Sequence, residues 1–308
     1  MNILITGASG FLGSAAATFL SQSGYQVIAT CRSPSSSLKN QLDVEILELD
    51  VLDPQIPSGI NADVIIHCAT ANDTVSRDFN AGVTLSVQGT WNLLKLCNTL
   101  GARHFIYLST FQVYGTELEG HYDENSPVLC ESPYALNHFL GEQTCRSFHG
   151  VNKPKISIVR PSNVFGRPVV SPLKRQTLVP LCLVRQALTE NKISLKSSGQ
   201  QMRNFVSLEE FGKALAHIVA SQKGEYEIFN VCSNYHESIM GISSLVQEIC
   251  ASETGCRPSI SVDGNSPLKN TFSVASRLSE IQYPEQTTRA HLRSEIAQMI
   301  TYYQKHIS

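Results

Sequence analysis

The chain has 308 residues, 42% of them hydrophobic, with 24 Lys and Arg against 26 Asp and Glu, for a formal net charge of −2. At roughly 150 residues per domain this length suits two domains or two lobes, and the hydrophobic share is that of a globular chain with a large core rather than a disordered one. The balanced charge excludes the basic surplus of a non-specific nucleic-acid binder, and no apolar run approaches the roughly 18 residues of a membrane span.

Asn2 to Thr6 is a short apolar strand that runs into Gly7, Gly10 and Gly13 and then into a helix ending near Gln22, before Gly24. Tyr25 to Thr30 reads as a second strand, Pro34 to Ser37 as a Ser/Pro loop, Val44 to Leu49 as a third strand and Asp63 to Cys68 as a fourth. Phe79 to Leu100 has helical periodicity and stops at Gly101; His104 to Ser109 is a fifth strand. Ser132-Pro133, a capping residue followed by a residue suited to the first helical position, opens a helix to about Phe148. Ile156 to Arg160 is a sixth strand, and Tyr226 to Val231 one more. Between them, residues 166–200 are mixed and Pro-rich; residues 232–308 hold helices at Ile242 to Cys250 and His291 to Tyr303 with little regular alternation.

Strands alternating with helices predict βαβ units and a doubly wound parallel sheet, and the continuous apolar run of the fourth strand suits a sheet covered on both faces. The change of rhythm after Pro161 predicts a smaller C-terminal α/β lobe. The expected division is residues 1–165 and 201–231 in a dinucleotide-binding domain, and 166–200 and 232–308 in a substrate-binding lobe. The strand, glycine turn and helix at the N-terminus form the pattern of a dinucleotide-binding turn. Glycine permits close backbone approach to a pyrophosphate, and the helix N-terminus supplies free N–H groups. The nine cysteines include no C-x-x-C pair and lie scattered in apolar segments, as at Cys68 and Cys97. They read as buried free thiols in a reducing compartment, with no metal site. No signal peptide is visible, and a soluble cytoplasmic protein is expected.

The glycine spacing G-x-x-G-x-x-G, within Thr6-Gly7-Ala8-Ser9-Gly10-Phe11-Leu12-Gly13, resembles the extended short-chain dehydrogenase/reductase family of nucleotide-sugar epimerases, dehydratases and ketoreductases. The resemblance recurs in order along most of the chain. Tyr107 to Gly115 (YLSTFQVYG) is similar to the family's SSxxVYG segment, Arg160 to Gly166 (RPSNVFG) to its RxxNVYG segment, and Gln201 to Val206 (QMRNFV) to its RDFxxV segment. It implies a Rossmann fold, with Gly7, Gly10, Phe11, Leu12 and Gly13 at the cofactor. It also implies Asp50 and Val51 at the adenine, and Cys68, Ala69 and Thr70, after His67, along the diphosphate and ribose. NAD-type members carry a carboxylate at the end of the second strand for the ribose hydroxyls. Here Cys31, Arg32 and Ser33 stand there. With no carboxylate to repel a 2′-phosphate and an Arg able to grip it, NADP is favoured over NAD; the alternative is that Arg32 stacks on adenine.

The same resemblance implies that Thr110 hydrogen-bonds the reacting sugar oxygen and that Tyr134 moves a proton there. The family's Lys, four residues beyond the Tyr, is here His138. Four residues along a helix keeps both side chains on one face. A free Tyr ionises near about pH 10, so as a base it needs a positive charge nearby, which a neutral imidazole does not supply. Three readings are open: His138 takes the ribose-binding role, the enzyme is slow or shifted in pH, or the domain binds dinucleotide without chemistry, as a sensor or scaffold. His67 is expected to pack near the cofactor. Phe111 and Gln112 stand where 4,6-dehydratases carry Asp and Glu, which removes the acid/base couple for eliminating water. Asn163 and Arg203 match substrate-holding positions, Arg203 with a guanidinium suited to a diphosphate. Lys174 and Arg175 could close over phosphates or face water.

The expected activity is therefore hydride transfer on a nucleotide-linked sugar at C4, with a ketoreductase favoured and a 4-epimerase with tightly held NAD as the alternative. Reduction of a non-sugar ketone is a further possibility, against which Asn163 and Arg203 argue. The helices at 79–100 and 133–149 carry apolar residues on more than one face (Val83, Val87, Trp91, Leu94; Leu136, Phe139, Leu140), which favours a homodimer. No nucleic-acid or membrane partner is expected.

Overall fold

The computed structural model describes residues 1–150, 153–171, 177–221, 224–264 and 271–306; Lys174 and Arg175 lie outside them. The first strand, β1 (Asn2–Thr6), is buried from Ile3 onward because helices cover both faces of the sheet it joins. There follow α1 (Phe11–Gln22), β2 (Gln26–Cys31), α2 (Ser36–Gln41), β3 (Glu45–Glu48), β4 (Val64–His67), α3 (Phe79–Val83), α4 (Thr90–Leu100) and β5 (His104–Leu108). Next come β6 (Gly120–Tyr122), α5 (Pro133–Phe148), β7 (Lys155–Pro161), β8 (Asn163–Phe165), α6 (Leu181–Glu190), β9 (Lys192–Leu195) and β10 (Met202–Ser207). The chain ends with α7 (Leu208–Ala220), β11 (Tyr226–Val231), β12 (His236–Ser238), α8 (Ile239–Thr254), β13 (Ser259–Val262), β14 (Phe272–Val274) and α9 (Glu285–His306).

Seven strands form one sheet in the order β11-β7-β5-β4-β1-β2-β3, and every pairing is parallel. The winding reverses between β1 and β4, where ligands of doubly wound sheets bind. The register aligns Thr30, Thr6, His67 and Tyr107 in one row across β2, β1, β4 and β5, at their carboxyl ends. Beyond this sheet, β12-β10-β8 make a three-stranded sheet, and β13 pairs with β9 and β14 with β6. A separate apolar core, including Phe165, Val184, Ile193, Phe205, Ile242 and Ile296, packs α6, α8 and α9 against these short strands.

The expected strands and the helix at 133–148 recur with end shifts of a residue or two. The expected loop at 34–37 instead enters α2, because Ser35 caps it by accepting from the Leu38 N–H at 3.1 Å. The helix expected over 79–100 is continuous but contains a π-helical turn, Thr84–Gly89. Several elements have no counterpart in the sequence reading, among them two around the Arg203 segment. Helix α7 is opened by a capping box in which Ser207 and Glu210 satisfy each other's backbone N–H. Strand β10 runs through the Arg203 segment. The region after 232 is regular too; its strands have only three or four residues, too few to show alternation. None of the nine cysteines forms a disulfide among the described residues; five are buried and Cys256 is exposed. No helix among the described residues is long and apolar enough to cross a membrane.

Two histidines are held neutral inside the fold. Burial lowers the pKa of His67 to about 3, with repulsion from His138 adding to it; burial, then Lys155, lowers that of His104 to about 3. Unfolded histidines take up a proton below about pH 6.5, so the unfolded state binds more protons there. Stability is therefore expected to fall as pH drops from about 6.5 toward 3, by up to about 1.4 kcal/mol per pH unit for each histidine. Urea unfolding across this range checks it: His104→Gln, which keeps a partner for Ser157, should flatten the slope by about one proton, and an unchanged slope would refute the assignment.

Candidate functional site

The glycine turn is built by close backbone approach. Gly7 has φ +73°, and a Cβ there would lie 2.7 Å from the Ala69 nitrogen; a Cβ on Gly13 would lie 2.2 Å from the Gly7 carbonyl oxygen. The Gly10 N–H donates to that carbonyl at 2.9 Å. Gly10 caps α1 without a side chain, and the first turn has no acidic residue, so the helix N-terminus is left open to an anion. Phe11 is buried and Leu12 half-buried. Thr6 Oγ1 ties the neighbouring strand end: it lies 2.9 Å from His67 Nδ1 and accepts from the Ala69 N–H at 3.3 Å. Cys68, Ala69 and Thr70 lie half-buried beside it. Burial pushes the Cys68 thiol up to about 12, which suits packing and not nucleophilic chemistry. Arg32 is exposed just past β2, beyond buried Cys31. The Asp50 carboxylate accepts from the Leu52 N–H at 3.0 Å, and Val51 is buried against Gly89.

Thr110 follows β5; its hydroxyl accepts from the Gln112 N–H at 3.3 Å and caps the short turn Phe111–Tyr114. Tyr134 lies in the first turn of α5, half-buried, with its ring 4.6 Å from that of His138 in an edge-on contact. His138 is buried and also meets Tyr107 edge-on at 6.4 Å. Tyr107 in turn lies 5.6 Å from His67, which is wholly buried. Phe111 is buried against Tyr114 and Tyr122, and Gln112 is exposed.

Asn163 and Arg203 fall on one small sheet: Asn163 pairs with Phe205, two residues along β10 from Arg203. Asn163 Nδ2 donates to the Asn204 carbonyl at 2.9 Å. Arg203 is half-buried and donates to the Met202 carbonyl. Burial lowers its pKa against the attraction of Glu117, and among the described residues it makes no salt bridge. Asn204, in place of the family's Asp, is buried and spans Ser162, Ser233 and Tyr235. Of the apolar residues expected at a dimer face, Leu94 is fully buried and Trp91 meets Phe148 edge-on, so both turn inward. Val83, Val87, Leu136 and Leu140 are half-buried.

The sequence reading passed over Glu142, which is buried and bound to Ser109 and Arg160. Its signal was spacing: it continues the four-residue step from Tyr134 to His138.

A parallel sheet with a glycine cradle at its switch point defines a dinucleotide-binding protein of the doubly wound class. Residues 3–232 match the NAD dependent epimerase/dehydratase family. The chain belongs to that family and is an enzyme of the short-chain dehydrogenase/reductase type. It is 25% identical to the uncharacterized UDP-glucose epimerase YtcB of Bacillus subtilis, with 99% of each chain covered. It is 27% identical to human dTDP-D-glucose 4,6-dehydratase, over 80% of this chain and 73% of that one. Among solved structures, UDP-glucuronic acid 4-epimerase from Bacillus cereus in complex with NAD superposes with a TM-score of 0.80 at 24% identity, covering 99% of this chain and 98% of that one. The UDP-glucose 4-epimerase of Thermotoga maritima with UDP-glucose gives 0.79 at 19% identity, with both chains fully covered.

The cradle predicts a direct test. Gly13→Ala places a methyl against the Gly7 carbonyl and should weaken NAD binding at least about tenfold, because the helix N-terminus must move. Isothermal titration checks it, and retention of wild-type affinity would exclude the cradle as the diphosphate site.

Proposed function

We propose that this enzyme interconverts hydroxyl and keto forms at C4 of a nucleotide-diphosphate sugar, in the manner of a 4-epimerase that retains its dinucleotide. The observation that carries the reading is the Tyr134–His138 contact on α5, next to a Thr110 turn that has Phe111 and Gln112 where an eliminating enzyme needs carboxylates. Supporting it are the family and the relatives that are named as acting on UDP-glucose and UDP-glucuronic acid. The site residues fit a dinucleotide: Gly7, Gly10, Phe11, Leu12 and Gly13 would hold the diphosphate, Asp50 and Val51 the adenine, and Cys68, Ala69 and Thr70 the ribose side. When bound, the nicotinamide supplies a hydride acceptor and donor.

In this reading Tyr134 takes the proton of the C4 hydroxyl and later returns it, while Thr110 donates a hydrogen bond to the same oxygen. His138 hydrogen-bonds the nicotinamide ribose from beneath the Tyr134 ring. Arg203, a half-buried cation that makes no salt bridge among the described residues, grips the sugar-nucleotide diphosphate. Asn163, one of whose N–H groups is spent on Asn204, offers its other amide groups to the substrate. NAD is the cofactor that the family description and the NAD-bound neighbours support. The NADP expectation, and with it the ketoreductase form, rests on Arg32 and on the lack of a carboxylate at the end of β2. The small sheet and the core over it form the substrate lobe, and the enzyme works as a homodimer through the helix at 79–100 and α5, with half-buried Val83, Val87, Leu136 and Leu140 as the candidate contact.

Three measurements test this. Denaturing the purified protein and identifying the released dinucleotide should yield near-stoichiometric NAD(H). An empty protein that then binds NADPH better than NADH would turn the reading to a ketoreductase. Tyr134→Phe should lower interconversion of UDP-glucose by at least about 100-fold with cofactor still bound, and wild-type turnover would defeat the assignment. His138→Lys sets a fixed ammonium beside the phenol, which favours its ionised form, so the acid limb of the kcat–pH profile should move to lower pH.

A further inference from the structure

One face of α5 carries three groups in four-residue steps: Tyr134, His138 and Glu142. The Glu142 carboxylate is buried and receives three hydrogen bonds, from Ser109 Oγ at 2.5 Å, Arg160 Nε at 2.9 Å and Arg160 Nη2 at 2.5 Å. Arg160 Nη1 donates to the Tyr114 hydroxyl at 2.8 Å, which donates to Asn230 Oδ1 at 2.9 Å. Burial works against the Arg160 charge, but the hydrogen bonds and attraction of Glu142 outweigh it and raise its pKa above the ordinary guanidinium value. The Arg fork by itself neutralises a carboxylate. The third bond goes to the residue just before Thr110, whose backbone N–H is fixed to the Val159 carbonyl at 2.7 Å.

We propose that Glu142 is a positioning residue: through Ser109 it sets the Thr110 hydroxyl in register with the helix face that presents Tyr134 and His138. The inference rests on the assignment of Thr110 and Tyr134 made above. The bond is short, buried and charge-assisted, so it resists the rotations that would swing the Thr110 segment away from α5. Both sides of the reacting oxygen are then governed by one helix. Tyr134 comes directly from α5, and Thr110 is held to it two turns further along.

Ser109→Ala tests the link because it leaves the Glu142–Arg160 pair in place. With NAD and UDP-glucose, kcat is expected to fall about 10- to 100-fold, with KM and the NAD dissociation constant changed by less than about twofold and the melting temperature held. Ser109→Thr, which restores a hydroxyl, should recover most of the rate. In a Thr110→Ala background, Ser109→Ala should cost nothing further, because the group it positions is gone. An unchanged kcat, or an equal loss in both backgrounds, overturns the proposal. If Tyr134→Phe is inactive while Ser109→Ala is unaffected, only the positioning role falls. If Tyr134→Phe keeps full turnover, the site assignment falls and this inference with it.

Discussion

Two opposite charges buried beneath the carboxyl edge of the sheet constrain everything built on that edge. Glu142 and Arg160 are 1% and 3% exposed, and leaving either one without the other would cost about 3–5 kcal/mol. That penalty fixes α5 to β7. The chain of bonds from Arg160 through Tyr114 to Asn230 carries the constraint to β11, and Ser109 carries it to the end of β5. A pair of this kind adds little to net stability compared with a well-packed apolar core. Its effect is on geometry: the helix with Tyr134 and the turn with Thr110 cannot slide independently.

The glycine cradle at the other end of the site follows the opposite principle. Gly7 and Ala69 are placed by the absence of side-chain atoms between them and by Thr6, whose hydroxyl spans His67 and Ala69. One half of the site is therefore shaped by what was removed from the chain and the other by charges that must meet. Phe111 belongs to a third kind of constraint. Packed among Tyr114 and Tyr122, it fills with aromatic surface a position where the resemblance to 4,6-dehydratases would place an acid.

Most of the parallel sheet was legible because its strands are continuous apolar runs, as at Ile3–Ile5, which runs on to Gly7, and Val64–Ile66. The cradle was legible because its spacing is short and local. Strands β8 and β12 were not, since three residues leave no period to read, and the six residues of β10 (MRNFVS) mix polar and apolar types without strict alternation. Helix α7 was passed over although Ser207 and Glu210 spell its start, because the reading followed the Arg203 segment for its chemistry and not its ends. Glu142 escaped for a different reason. Its partners, Ser109 and Arg160, lie far from it in sequence on separate strands, so only the folded sheet shows that one carboxylate serves both.

Strand β11 occupies one edge of the large sheet, yet it is encoded after the whole excursion through β8, α6, β9, β10 and α7. Asn230 on that strand receives the Tyr114 hydroxyl, donates its N–H to Glu124 and accepts from Ser276 through its carbonyl. On the ribosome the glycine cradle, His67 and Tyr134 emerge early, whereas the residues that complete the polar chain beneath Thr110 arrive only when most of the polypeptide has been made. The polar chain beneath Thr110 therefore closes only once β11 has joined the sheet edge, long after the turn that carries Thr110 has been made.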